Sequence, residues 1–169
     1  GRDSTCQDTL MLHEITERQL AKLVINHSRP LVICDVDEVI VHFTRDFEDF
    51  LAERNYLLET TDLRNLQTAV RPVHGGPPLG DVATIDLVDK FFELRTRTMK
   101  PIDRAVEGLQ ELSRDADVVM LTNLPHSAGD HRRENLASLG LPFPVITNSG
   151  PKGPAINIMA AKVNAPVIF

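Results

Sequence analysis

The sequence predicts an α/β fold with a mainly parallel sheet, and three observations carry that prediction. Short apolar runs, Leu31-Val32-Ile33-Cys34, Val118-Val119-Met120-Leu121 and Val145-Ile146, lack the in–out alternation of a strand with one wet face. The first two read as strands buried on both faces, as a parallel sheet requires, and the third as part of a further strand. Each run stops at residues with chemical potential: Asp35 and Asp37, Thr122 and Asn123, Asn148 and Ser149. Stretches of helical periodicity separate them, the alternation expected of strand–helix–strand units.

Taken in order, residues 14–26 place Leu20, Leu23 and Val24 at helical spacing and lead through His27-Ser28-Arg29-Pro30 into the first strand. After Asp37, the alternation of Val39, Val41 and Phe43 with Ile40 and His42 predicts an extended or hairpin segment. Residues 46–57 fit a short helix with Phe47, Phe50 and Leu51 on one side, while 56–70 is ambiguous and compatible with strands. Gly75-Gly76-Pro77-Pro78 makes 71–81 a loop. Asp81 is suited to cap a helix reaching about Arg97, with Val82, Ile85, Val88, Phe92 and Leu94 as its apolar stripe.

A further helix fits 103–113 with Val106, Leu109 and Leu112 inward, followed by the strand 117–123. Residues 129–139 read as helix, closed by Gly140 in a C-terminal cap position. A strand over 143–147, a helix over 154–163 with Pro154 in its first turn, and a last strand over 165–169 complete the pattern. Repeats and low-complexity tracts are absent.

A chain of 169 residues, 42% hydrophobic, suffices for one domain with a real core. Aromatics make up only 5%, so that core must rest on Leu, Val, Ile and Ala. Eighteen basic against twenty-four acidic residues give a net charge of −6, with no basic block. That argues against nucleic-acid and membrane-surface partners, and an anionic substrate would need its positive charge supplied locally. No apolar run approaches a membrane span and no signal peptide is visible. Cys6 and Cys34 read as free thiols, so a cytoplasmic protein is the economical expectation. Gly1 in place of Met points to an engineered or processed start.

The chemistry concentrates at three strand ends. Asp35 and Asp37, two carboxylates at i and i+2, lie where open α/β sheets bind ligands, and their repulsion calls for compensation by a divalent cation. A polar turn that happens to hold two acids would look the same. Thr122, with the backbone amides that follow it, makes a cradle for phosphate oxygens, although a threonine ending a strand is often structural. Lys152 stands at the start of a helix, an unfavourable place for a cation, which asks for an anion nearby; a solvated loop lysine is the plain alternative.

Together, in this order and strand context, these features resemble the haloacid dehalogenase superfamily. Asp35-Val36-Asp37-Glu38-Val39 is similar to its first motif, Thr122 to its second and Lys152 to its third, over a span from Leu31 to Phe169. The resemblance implies a Rossmann-like three-layer α/β/α sandwich, with a core formed by residues 1–43 and 101–169. It also implies a small cap inserted after the first strand, at 44–100, whose Arg45, Arg54, Arg64 and Arg71 are candidates for contacting a substrate's anionic or polar end.

The activity it implies is a Mg²⁺-dependent phosphatase acting on a small phosphorylated substrate through an aspartyl-phosphate. Asp35 would be the nucleophile and Asp37 the general acid and base. Thr122 and Asn123 would lie against the phosphoryl group, Lys152 would balance its charge, and Mg²⁺ would be held by Asp35 and Asp37. Glu38 also gives the chain a likeness to the phosphatases that act on polymerase C-terminal repeats, which usually continue Thr-Leu where Val39-Ile40 stands here. One departure is serious. The superfamily's fourth motif, an acidic pair after the next core strand, has no counterpart, because Ala165-Pro166-Val167-Ile168-Phe169 ends the sequence. The expectation is a sequence cut off at that point, binding Mg²⁺ weakly and turning over poorly. The alternative is a non-catalytic binding or scaffold protein with an incomplete metal site.

Overall fold

The computed structural model describes residues 12–59 and 66–169; Cys6, Arg64 and the middle of the ambiguous 56–70 segment lie outside them. Four parallel strands form the sheet in the order β5-β4-β1-β6: β1 (Leu31–Cys34), β4 (Asp117–Asn123), β5 (Val145–Asn148) and β6 (Val167–Ile168). Leu31 pairs with Asp117 on one side and Val167 on the other, so β1 is an inner strand, paired with β4 along its whole length and with β6 at Leu31 and Val32. β2 (Tyr56–Leu58) and β3 (Val70–Pro72) form a separate antiparallel pair.

Alternation along the central strands sorts side chains into two layers. Leu31, Ile33, Val119, Leu121 and Ile146 pack with Leu20 of α1 (Glu14–Lys22) and with Ala155 and Met159 of α7 (Gly153–Ala160). Val32, Val118, Met120 and Val145 face the other way. They share a core with α2 (Thr44–Ala52), α4 (Asp81–Arg95), α5 (Ala105–Leu112) and α6 (Gly129–Ser138). The result is the Rossmann-like three-layer α/β/α sandwich expected from sequence.

The chain between β1 and α5 is tied at its base. His42 N–H donates to the Lys100 carbonyl at 2.9 Å and Ile102 N–H to the Ile40 carbonyl at 2.8 Å. The segment after Asp37 is thus extended only from Val41. Before it, the amides of Val39, Ile40 and Val41 all converge on the Val36 carbonyl in a tight turn, in which Glu38 adopts a left-handed φ of 61°. Between the tied ends, α2, β2, the short α3 (Leu66–Ala69), β3 and α4 are held by aromatic packing. Five of the seven phenylalanines cluster there, with the Phe91 ring 5.3–5.5 Å from those of Phe43, Phe47, Phe50 and Phe92. A composition poor in aromatics has therefore gathered them in one place, in edge-to-face contacts that add to area burial.

That cluster corrects the predicted face of α4. Thr84, Phe91 and Phe92 are its buried residues, whereas Val82, Ile85 and Leu94 are exposed. Four aromatic partners for Phe91 outweigh the aliphatic stripe and rotate the helix toward them. Asp81 is the first helical residue, behind Gly80 with φ 84°, and complements the helix dipole without capping. Likewise α5 buries Leu109 but leaves Leu112 exposed, and α1 ends before the exposed Val24.

Truncation at the centre of the cluster should be costly. Phe91→Ala is expected to destabilise the protein by about 3–5 kcal/mol, read from urea unfolding, with Phe143→Ala losing less because its ring is only partly buried.

Candidate active site at the strand ends

Three acids follow β1, and each has a different partner. Asp35 Oδ2 lies 2.8 Å from Lys152 Nζ, while its Oδ1 accepts the Val36 N–H at 2.8 Å. Lys152 is held for this contact by the loop before α7. There Asn148 donates from Nδ2 to the Gly150 and Pro151 carbonyls, and Asn123 Nδ2 donates to Gly150 as well, at 2.8 Å. Asn148 Nδ2 also reaches Asn123 Oδ1 at 2.9 Å, so the ends of β4 and β5 are cross-linked at paired positions. Proline in the first turn of α7 then fixes the helix start. A lysine at the positive end of a helix is accommodated because its charge is spent on Asp35.

Asp37 takes a cation from the opposite layer. Its Oδ1 lies 2.6 Å from Nη2 of Arg132, a fully buried residue of α6 whose Nη1 contacts Met99 Sδ at 3.4 Å. Arg132, Asn135 and Leu136 form the buried side of a helix that has no apolar stripe. Asn135 donates to the carbonyls of Arg97 and Met99, which anchors α6 to the end of the inserted segment. Burial pushes the Asp37 carboxyl above its ordinary range, and the Arg132 guanidinium pulls it back. Glu38 serves α2 instead. Its Oε1 accepts the N–H groups of Phe43 and Thr44, capping a helix that has no cap of its own. Burial acts to raise the Glu38 carboxyl, but these amide hydrogen bonds outweigh it and hold the carboxyl below the usual range.

Asp35, Asp37, Asn123 and Lys152 line a cavity of about 290 Å³ with Phe43, Leu66, Val88 and Phe92. Thr122 is not among them: it is fully buried and its hydroxyl has no hydrogen-bond partner. Its side chain therefore does not line this cavity, whose exposed group at the end of β4 is Asn123. Three of the four arginines expected at the substrate, those among the described residues, are elsewhere too. Arg45 lies beside Asp46, Arg54 stacks 3.7 Å over the Phe50 ring, and Arg71 pairs with Glu59. Each satisfies a nearby acid or ring within the inserted segment, and none of the three lines this cavity. Cys34 borders Asp35, yet burial, and then the Asp35 charge, push its thiol up to about 11, so it stays protonated at neutral pH. Among the described residues no group of three or more His, Cys, Asp or Glu could hold a metal ion.

Sequence reading missed Arg132 and the work of Glu38 and Asn148. The Arg132 signal is weak, since an arginine in the hydrophilic run Gly129–Ser138 looks solvated. Asn148 was better marked: asparagines end both β4 and β5, in register.

The fold and these contacts define a Rossmann-like α/β protein with a carboxylate–lysine pair at the end of its central strand. No protein-family model matches the chain, and no curated protein matches it. Among solved structures it is similar to a hydrolase described as a haloacid dehalogenase-like family protein from Streptococcus pneumoniae. That likeness covers 80% of this chain and 68% of that one, with 12% sequence identity and a TM-score of 0.48. At this distance the sheet order, rather than the neighbour, defines the fold. No described helix is long and apolar enough to cross a membrane.

Two predictions concern the paired acids. Arg132→Met should cost about 3–5 kcal/mol, because Asp37 is left buried without a partner, and Asp37→Asn in the same chain should recover much of the loss. A double-mutant cycle in urea checks this. Glu38→Gln should lower stability by about 1 kcal/mol near neutral pH. Because the folded-state carboxyl titrates below its ordinary value of 4.5, that difference is full above this pH and vanishes as the pH falls through the lowered value. Thermal melts at stepped pH follow it.

Proposed function

We propose that this protein is a phosphomonoester hydrolase of the haloacid dehalogenase type, working through an aspartyl-phosphate. The observation that carries the reading is the Asp35–Lys152 contact at 2.8 Å, inside a cavity that also holds Asp37. Lys152 pairs with Asp35, and a carboxylate is the nucleophilic form. Its neighbour Cys34 is held as a thiol and does not compete.

In the first step an Asp35 oxygen bonds to phosphorus in line with the leaving oxygen. The ester P–O bond breaks, and the departing alkoxide takes the proton held by Asp37. In the second step Asp37 accepts a proton from water, whose oxygen attacks phosphorus. The aspartyl–phosphate bond breaks, releasing inorganic phosphate and regenerating the Asp35 carboxylate. Burial lets Asp37 hold its proton and Arg132 lets it lose that proton again, a balance suited to a group that must do both. Asn123 Nδ2 and the amides after β4 are the neutral donors nearest to hand for the phosphoryl oxygens.

Asp35 and Asp37 supply hard oxygen donors, which suits Mg²⁺. That ion commonly keeps several waters and takes only one or two carboxylates besides a substrate phosphate. The Asp35 carboxylate and the Asp37 backbone carbonyl are the groups that would hold it, weakly, because among the described residues no third acid joins Asp35 and Asp37 in a metal-holding group and Glu38 is turned to cap α2. When bound, Mg²⁺ neutralises charge on the phosphoryl oxygens.

The test is phosphate release from an aryl phosphate with and without Mg²⁺. Asp35→Asn should abolish release and Lys152→Met should reduce it at least about a hundredfold, with both variants folded by circular dichroism. Calorimetric titration of Mg²⁺ should show weak binding that Asp35→Asn removes. Release that survives Asp35→Asn would sink the mechanism, and a folded, inactive wild type would favour the non-catalytic alternative.

A further inference from the structure

Beside the Asp35 cavity lies a second, larger one of about 610 Å³, within the size range of small-molecule sites. The two share Leu66, Val88, Phe92 and Asn123 in their linings, so they adjoin. The larger chamber runs between the inserted helix α4 and the loops that follow β4 and β5, and Ile85, Leu124 and Pro125 extend its apolar wall.

Charge is distributed unevenly along this space. Lys152 stands at the Asp35 end, and it is the one lysine or arginine among the described residues lining either cavity. In the wall of the larger chamber stand two acids, Asp81 and Asp89, both exposed on α4. The remaining candidate for a positive charge is His126, and burial, followed by the neighbouring His13, lowers its tendency to protonate. Its ring packs 4.2 Å from His13, and its Nδ1 is engaged with Thr147 Oγ1 at 2.6 Å. Thr84, His126 and Asn148 each line the chamber and each carry one buried polar atom without a partner. The wall thus holds neutral hydrogen-bonding groups and acids, and no fixed positive charge among the described residues.

We propose that this chamber receives the alcohol portion of the phosphomonoester, and that it selects an apolar group carrying no second anion. The proposal rests on the phosphatase reading. A phosphate beside Lys152 directs the rest of the substrate along Val88 and Phe92 into an apolar space. A second carboxylate or phosphate there would lose water, meet two acids and find no cation, which costs far more than placing a hydrocarbon. Sugar bisphosphates and phosphorylated hydroxy acids are thereby disfavoured, and aryl or alicyclic phosphates favoured.

Three para-substituted phenyl phosphates of nearly equal size, bearing methyl, aminomethyl or carboxylate, isolate the effect of charge. The carboxylate ester should show a kcat/KM at least about tenfold below that of the methyl ester, with the difference in KM. The aminomethyl ester should not be penalised. Ile85→Lys places a cation in the wall at a position 57% exposed, where the fold tolerates it, and should narrow the methyl–carboxylate gap several-fold. Turnover that is indifferent to the substituent, or that favours the carboxylate, would overturn the chamber assignment while leaving the phosphatase standing. Binding of 1-naphthol, followed by calorimetry, reads the chamber without turnover. Binding weakened by Ile85→Lys upholds the chamber even if no ester is hydrolysed, and absence of binding overturns it.

Discussion

Three carboxylates within four residues, Asp35, Asp37 and Glu38, repel one another at the end of the central strand, and the chain compensates each from a different direction. Lys152 comes from the loop before α7, Arg132 from α6 in the opposite layer, and two backbone amides from the start of α2. Ion pairs at partly exposed sites contribute little to stability. Here their effect is geometric: the demand for separate partners fixes where three helices begin or lie relative to β1. The left-handed Glu38 is part of the same solution, since it turns one acid away from the other two and toward α2.

The compensation also divides labour. Asp35 is half-exposed with a mobile type of partner, a lysine, whereas Asp37 is tied to a guanidinium that has no access to water. Lysine acts as a point charge that can be shared with an incoming anion, and a buried arginine has no such freedom. The two acids of one short motif are therefore suited to different tasks, one to bonding with a ligand and one to cycling a proton in a fixed position.

Much of this was legible beforehand because the relevant signals are local. Uninterrupted apolar runs marked β1, β4 and β5, and Gly140, with φ 82°, closed α6 where expected. Lysine at a helix start was an unfavourable placement that called for an anion, and Asp35 answers it. What failed depended on contacts distant in sequence. The buried face of α4 is set by rings from Phe43, Phe47 and Phe50, and periodicity within α4 alone cannot reveal them. Arg132 sits 95 residues from Asp37 in a helix with no apolar stripe. Arg45, Arg54 and Arg71 read as candidates for a substrate contact because nothing in their spacing shows the acids and the ring that occupy them.

Helix α4 has two sides with separate obligations. Phe91 and Phe92 belong to the same core as Val32 and Met120 of the sheet, so the helix cannot swing away without opening the main core. Ile85, on the accessible side, contributes to the chamber wall and little to that core. Substitution on the accessible side can therefore reshape the chamber wall while the fold stays put, so this helix can change its lining without leaving its seat.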